Sequence, residues 1–217
     1  MRAILSNPVI YRFQQSLVWS GKRDFHALLE HVVHRISQEK GRKARVLDIG
    51  CGDGKLSQRL GPICDYVGVD LSEAYIAHAR ETYGRYGTFH VADLGDPAFH
   101  AKFQDANPDL ILLIGVMHHC DDTAVRGLFD DLIDRFPDAK FLSIDGIYVE
   151  NQNRIAKWLL DNDRGEHIRD LAGYRRLLPT HDYLIDNFLR LPFNMVVFYK
   201  GMDLKKIAGA FFGDTQR

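Results

Sequence analysis

The sequence predicts an α/β domain built on a doubly wound, seven-stranded, mostly parallel sheet that ends in an antiparallel hairpin. Three observations carry this expectation. From Arg45 onward, short apolar runs alternate with amphipathic segments; right-handed crossovers between parallel strands place such helices on both faces of a sheet. The first apolar run ends in three glycines at alternate positions, Gly50, Gly52 and Gly54, a composition suited to a sharp strand-to-helix turn. Near the end, two β-rich runs, Tyr183–Leu189 and Phe193–Tyr199, flank a break at Pro192, the pattern of a closing hairpin.

Taken in order, residues 1–40 read as helical. Val9, Ile10, Phe13, Leu17 and Val18 form one apolar face; after a break at Gly21, Phe25, Leu28, Leu29, Val32, Val33 and Ile36 form another. Strands are expected at 45–50, 66–70, 88–92, 109–115 and 140–145, with helices near 54–60, 73–83, 96–103 and 122–136 between them. A longer helical segment is expected over 152–178, ahead of the hairpin. No Pro/Gly/Ser linker, repeat or low-complexity stretch divides the 217 residues, so one well-cored domain is expected.

Composition narrows the function. Hydrophobic residues at 46% and charged residues at 26% are ordinary for a soluble globular chain. A net charge of −1 argues against a nucleic-acid partner held mainly through phosphates. Cys51, Cys64 and Cys120 have no metal-ligand spacing and read as reduced thiols of a cytoplasmic protein. Arg2, Ser6, Asn7, Arg12 and Gln14 interrupt what a signal peptide would need as an apolar core. No apolar run approaches the roughly 18 residues of a membrane span.

Val46-Leu47-Asp48-Ile49-Gly50-Cys51-Gly52-Asp53-Gly54 is the most informative stretch. Glycines at a strand exit leave no Cβ to obstruct a ligand lying against the backbone. A dinucleotide fingerprint would place a third glycine where Lys55 stands. The second strand, Val67-Gly68-Val69-Asp70, ends in a carboxylate that can accept bonds from both hydroxyls of a ribose. The third ends His90-Val91-Ala92-Asp93-Leu94, and the fourth runs from Pro108-Asp109 through Ile114-Gly115-Val116-Met117 to His118-His119.

The order and spacing of these four segments resemble the motifs of class I S-adenosyl-L-methionine (SAM)-dependent methyltransferases, a Rossmann-like family. The resemblance implies cofactor contacts from Gly50, Cys51, Gly52 and Gly115, with Asp70 and Leu71 at the ribose. It implies that Asp93 meets the adenine amino group while Leu94 packs on the ring, and that Asp48 helps orient the methionine amino group and the glycine loop. It also divides the single domain into a helical lid at 1–42, a cofactor-binding core at 43–146, and a substrate-side helix with the closing hairpin at 147–217. Tyr11 of the lid would contact the methionine end or face the sulfonium; the alternative is that Tyr11, Phe13 and Trp19 only pack their helices onto the sheet. The stretch from Asp145-Gly146 through Asp163-Arg164-Gly165 to Tyr174 resembles a bacterial subgroup that accompanies sugar or secondary-metabolite pathways.

Methyl transfer from a sulfonium needs alignment and exclusion of water more than covalent help. A hydroxyl nucleophile also needs a base near neutral pH, which histidine supplies. His118 and His119 follow the fourth strand, and on extended backbone at most one of them would face the pocket. Each could instead be structural. A metal held by His118, His119, Cys120, Asp121 and Asp122 is the weaker reading, because consecutive residues rarely converge on one ion and either aspartate serves as a helix N-cap. Tyr174 and Arg164 are candidate substrate contacts.

The expected function is methylation of a small-molecule hydroxyl or amine. No Asn/Asp-Pro-Pro-aromatic motif follows the fourth strand, against a base methyltransferase. Two alternatives stand: a methyltransferase-like SAM cyclase releasing azetidine-2-carboxylate and methylthioadenosine, and a non-catalytic SAM-binding module. A dehydrogenase with a degenerate glycine loop is a further rival.

Overall fold

The structure, a computed structural model, describes residues 22–93, 107–163, 165–178, 180–185, 195–204 and 206–207. It opens with helix α1 (Lys22–Lys40), followed by β1 (Ala44–Ile49), α2 (Ser57–Leu60), β2 (Cys64–Asp70), α3 (Glu73–Tyr83) and β3 (Thr88–Val91). Then come β4 (Leu110–Ile114), a short 3-10 turn at Met117–His119, α4 (Asp122–Arg135) and β5 (Lys140–Tyr148). The chain continues through α5 (Arg154–Asp161), the two-residue β6 (Arg169–Asp170), α6 (Leu171–Leu177), β7 (Asp182–Ile185) and β8 (Met195–Lys200).

The strands form one sheet in the order β3-β2-β1-β4-β5-β8-β7, with β6 alongside β5. β3 to β5 run parallel, while β8 is antiparallel to both β5 and β7. The expected doubly wound sheet with its antiparallel hairpin is thus present. Apolar runs as continuous as Leu110–Ile114 are what a strand covered on both faces requires. One face buries Phe25, Leu28, Leu29, Val32, Val33 and Ile36 of α1 with Leu60, Ile76 and Ala79. The other buries Val125, Leu128, Phe129 and Leu132 of α4 with Tyr174 and Leu177 of α6.

The apolar stripe of α1 packs on the sheet; residues 1–21 of the expected lid, with Tyr11, Phe13 and Trp19, lie outside the described residues. One expectation changes. The single helix expected over 152–178 is two, α5 and α6. Asn153 caps the first by accepting from the Ile155 N–H at 2.8 Å, and Asp170 caps the second by accepting from the Gly173 N–H at 2.7 Å. A side-chain oxygen at a helix start satisfies an otherwise orphaned donor, and two such caps define two starts. The expected helix at 96–103 and the Pro192 break also lie outside the described residues.

Chain order reverses between β1 and β4. The chain winds outward through β2 and β3, returns to β4 on the other side of β1, and winds the opposite way through β5. The crevice at the carboxyl ends of β1 and β4 is the place where open α/β sheets bind ligands.

Candidate active site

The glycine loop forms the floor of this crevice. Gly50 has a φ of +74°, and a Cβ there would lie 2.4 Å from Cγ2 of Val116; both facts exclude a side chain. Gly52, at φ +56°, is different: no atom lies within 4 Å of where its Cβ would stand. Its bare backbone opens onto free space at the strand exit. The Gly50 and Cys51 N–H groups donate to the Val69 carbonyl at 2.8 and 3.0 Å, tying the loop to the end of β2.

Asp70 completes that end. Its Oδ2 accepts from the Gly52 N–H and its Oδ1 from the Ser72 N–H, each at 2.9 Å. These bonds aim a carboxylate beside the open glycine, and each oxygen retains a second lone pair for a ligand hydroxyl. Ser72 caps α3, accepting from the Tyr75 N–H at 3.3 Å. Leu71 is 67% exposed and Tyr75 is also exposed, leaving apolar surface next to Asp70. Asp93 stands exposed just past β3. Leu94 lies outside the described residues.

Beneath the loop, Asp48 is buried and accepts a short hydrogen bond from the Tyr66 hydroxyl. Burial pushes its carboxyl up to about 7, against the opposing bond from Tyr66 and with help from the charge of Asp70. Burial, aided by the charges of Asp48 and Asp70, also raises the Cys51 thiol, which makes it an unreactive packing group.

The fourth strand ends at Gly115, whose N–H donates to the Ile144 carbonyl at 2.7 Å. The next residues are not extended. Met117–His119 form a 3-10 turn, and the His118 and His119 rings lie together with centroids 4.2 Å apart. The alternation expected of extended backbone therefore does not separate them. His119 is exposed, whereas His118 is set into the protein. The His118 Nδ1 lies 2.6 Å from Oδ1 of Asp145, and that oxygen also accepts from the His118 N–H at 3.2 Å. Nε2 lies 3.4 Å from Oδ1 of Asp163. Burial opposes charge on the ring, but the hydrogen bonds and charges of Asp145 and Asp163 outweigh it and push the pKa up to about 9.

Asp145 and Asp163 are the residues that motif reading underrated. Asp145 lies within β5, three residues before its end, fully buried, with Oδ2 lacking a hydrogen-bond partner among the described residues. A third such residue is Arg169. Its guanidinium donates to the carbonyls of Met117 at 3.0 Å, Cys120 at 2.7 Å and His167 at 2.8 Å, and to Asp122 at 2.9 Å. It staples the histidine turn to the segment before α6.

Tyr174 is a correction. Its side chain is 0% exposed, and its hydroxyl donates to the Gly146 carbonyl at 3.0 Å. It is a core pillar against Phe198 and does not present a hydroxyl to a substrate. Asp121 caps α4 by accepting from the Ala124 N–H at 2.8 Å. Among the described residues no three His, Cys, Asp or Glu side chains are set to hold a metal ion. Arg164 lies outside the described residues.

Comparison with known proteins identifies the family and the fold. Residues 21–177 match the family described as a methyltransferase domain. The polyketide synthase PksM of Bacillus subtilis (strain 168) is 28% identical over 120 residues, 50% of this chain and 3% of that protein, so the chain spans only a small part of such a relative. The plantazolicin methyltransferase BamL, crystallised with a triazolic desmethylPZN analog and SAH, has a TM-score of 0.61 at 14% identity, covering 91% of this chain and 92% of that one. The citrinin polyketide synthase CMeT domain has a TM-score of 0.61 at 17% identity, covering 91% of this chain and 58% of that one. With the family match over 21–177, the glycine loop and the acid of β2 complete the assignment: the chain belongs to the class I SAM-dependent methyltransferases.

Proposed function

We propose that this methyltransferase acts on a hydroxyl or amine of a small molecule, in bacterial secondary or sugar metabolism, with His118 as the base. The observation that carries the reading is His118 itself. It stands at the carboxyl end of β4, past Gly115, with Nδ1 fixed by a buried carboxylate at 2.6 Å. An imidazole oriented through one nitrogen by an acid presents the other toward the acceptor, and that nitrogen serves as a base once it has given up its own proton.

SAM supplies an activated methyl on a positive sulfur. The chain's residues do the rest. Asp70 and Leu71 hold the ribose end, Gly50, Cys51, Gly52 and Gly115 let the donor lie against backbone, and Asp93 takes the adenine side. Asp48, held by Tyr66, supports the loop and the methionine end. His118 takes the acceptor's proton, and the exposed His119 lines the entrance beside it. The polyketide synthase relative supports an acceptor from secondary metabolism.

The test is product analysis on SAM incubated with a panel of small alcohols and amines. S-adenosylhomocysteine that accumulates only with an acceptor supports the reading. Methylthioadenosine formed with no acceptor present would replace it with intramolecular cyclisation. Tight binding of S-adenosylhomocysteine with no product would reduce the chain to a binding module.

A further inference from the structure

The turn after α5 lies directly on His118 through three contacts. Asp163 Oδ1 is 3.4 Å from Nε2. The His167 N–H donates to the His118 carbonyl at 2.9 Å. Gly165 passes so near that a Cβ on it would lie 2.0 Å from Cδ2 of His118 and 2.7 Å from its carbonyl oxygen. The turn is also fixed internally, because the Gly165 N–H donates to Asp163 Oδ1 at 2.8 Å.

The two carboxylates on His118 are not equivalent. Asp145 is fully buried and 2.6 Å from Nδ1. Asp163 is 35% exposed, and its separation of 3.4 Å is beyond a tight hydrogen bond. One is a permanent anchor; the other is an exchangeable cap on the nitrogen that an acceptor needs.

We infer that Asp163 is a positioning residue that shares Nε2 of His118 with the acceptor, capping that nitrogen while the acceptor site is empty and yielding it when an acceptor's O–H or N–H arrives. This rests on His118 being the base of the proposed transfer. In the step, the proton that Nε2 holds at rest first passes to Asp163, which is open to water. The acceptor's O–H or N–H bond then breaks and its proton goes to the vacated Nε2, while the heteroatom's electron pair forms the bond to the methyl carbon and the S–C pair returns to sulfur. The ring is again the imidazolium capped by Asp163, so each turnover releases one proton to water.

The charged and titratable groups around His118 are Asp145 from β5, Asp163 and His167 from the turn, His119 beside it, and Cys120 with Arg169 behind it. With both carboxylates in place the ring holds its proton up to about 9. Withdrawing Asp163 removes one of the two groups that favour the charge, so the ring becomes a base when the acceptor arrives.

The experiment is an NMR titration of the His118 ring in the full chain with S-adenosylhomocysteine bound, comparing wild type with Asp163→Asn. Diethyl pyrocarbonate acylation of His118, mapped by mass spectrometry, gives a second readout. The midpoint should fall by about one unit or more in Asp163→Asn, and acylation near neutral pH should accelerate about tenfold. Gly165→Ala, which forces the turn off the ring, should move both readouts the same way and serves if Asp163→Asn does not fold. An unchanged midpoint and unchanged acylation in either folded variant would overturn the inference. Neither readout needs turnover, so failure of the wild type to bind S-adenosylhomocysteine would sink the reading beneath it and would be told apart.

Discussion

His118 and His181 are the same residue type, both set into this fold, and they are pushed in opposite directions. His118 lies between Asp145 and Asp163 at the crevice, and its pKa is raised to about 9. His181 is only 8% exposed, with its ring edge-on to Phe129 and Phe141 at 5.3 and 5.2 Å. Burial, then the charge of Lys200, lowers its pKa to about 4 against a small opposing effect of Asp182. At neutral pH the first carries a proton and the second does not. The difference shows that this site is built by the carboxylates around a histidine and not by the histidine itself.

The sharpest way to break the contrast is to remove the buried carboxylate. Asp145→Ala leaves the imidazolium of His118 without its closest counter-charge, and loss of one partner of a buried pair costs roughly 3–5 kcal/mol. Chemical denaturation at neutral pH should show a loss of that size. A loss below about 1 kcal/mol would mean the pair is solvated and His118 is not held as described.

The pH dependence of stability should show two limbs of opposite sign. For His118 the folded pKa is raised, so its contribution is fully present below the ordinary value of 6.5 and is lost as pH rises through about 9. For His181 the folded pKa is depressed, so the unfolded chain binds the proton first, and stability falls as pH drops from 6.5 to about 4. Each limb is worth on the order of 3 kcal/mol. Denaturation midpoints in the His118→Asn and His181→Phe variants should each lack one limb; a curve that keeps both in either variant would refute the assignment.

Much of this was legible in the sequence, and the rest fails for identifiable reasons. The strands, the glycine loop, Asp70 and the Ser72 cap are local, with spacing and chemistry set within a few residues. The Asp145–His118–Asp163 cluster is tertiary: Asp145 is 27 positions from His118, and no periodicity ties them. Within 152–178, expected as one helix, Asn153 and Asp170 each accept a bond from a backbone N–H at a helix start, and polar residues of that type serve on a helix face as readily as at a cap. Tyr174 was legible only as an aromatic with a polar tip, and a backbone carbonyl satisfies that tip inside the core.

On the cofactor side, Asp70→Ala should weaken S-adenosylhomocysteine binding by around 1.5–3 kcal/mol, roughly 10- to 150-fold, through lost charge-assisted bonds to the ribose. Calorimetry measures it, and unchanged affinity would remove Asp70 from the site. His118→Asn should leave that affinity nearly intact, which separates the donor half of the crevice from its acceptor half.

The smallest expected effect lies at the other histidine. His181 keeps a buried Nε2 with no partner among the described residues, and its Nδ1 is 3.5 Å from Oγ1 of Thr180, a marginal contact. An unpaired polar atom in an aromatic box is destabilising, whereas an apolar ring of similar shape has no such group to desolvate. Phe is slightly larger than His, and the fit against Phe129 and Phe141 sets a modest packing penalty. His181→Phe should therefore change stability by no more than about 1 kcal/mol at neutral pH. Its advantage over wild type should grow as the pH falls toward 4, where wild type loses the His181 limb. A destabilisation that is large at neutral pH and constant with pH would show that the imidazole nitrogens are bonded in solution, and the two histidines would then differ in degree and not in kind.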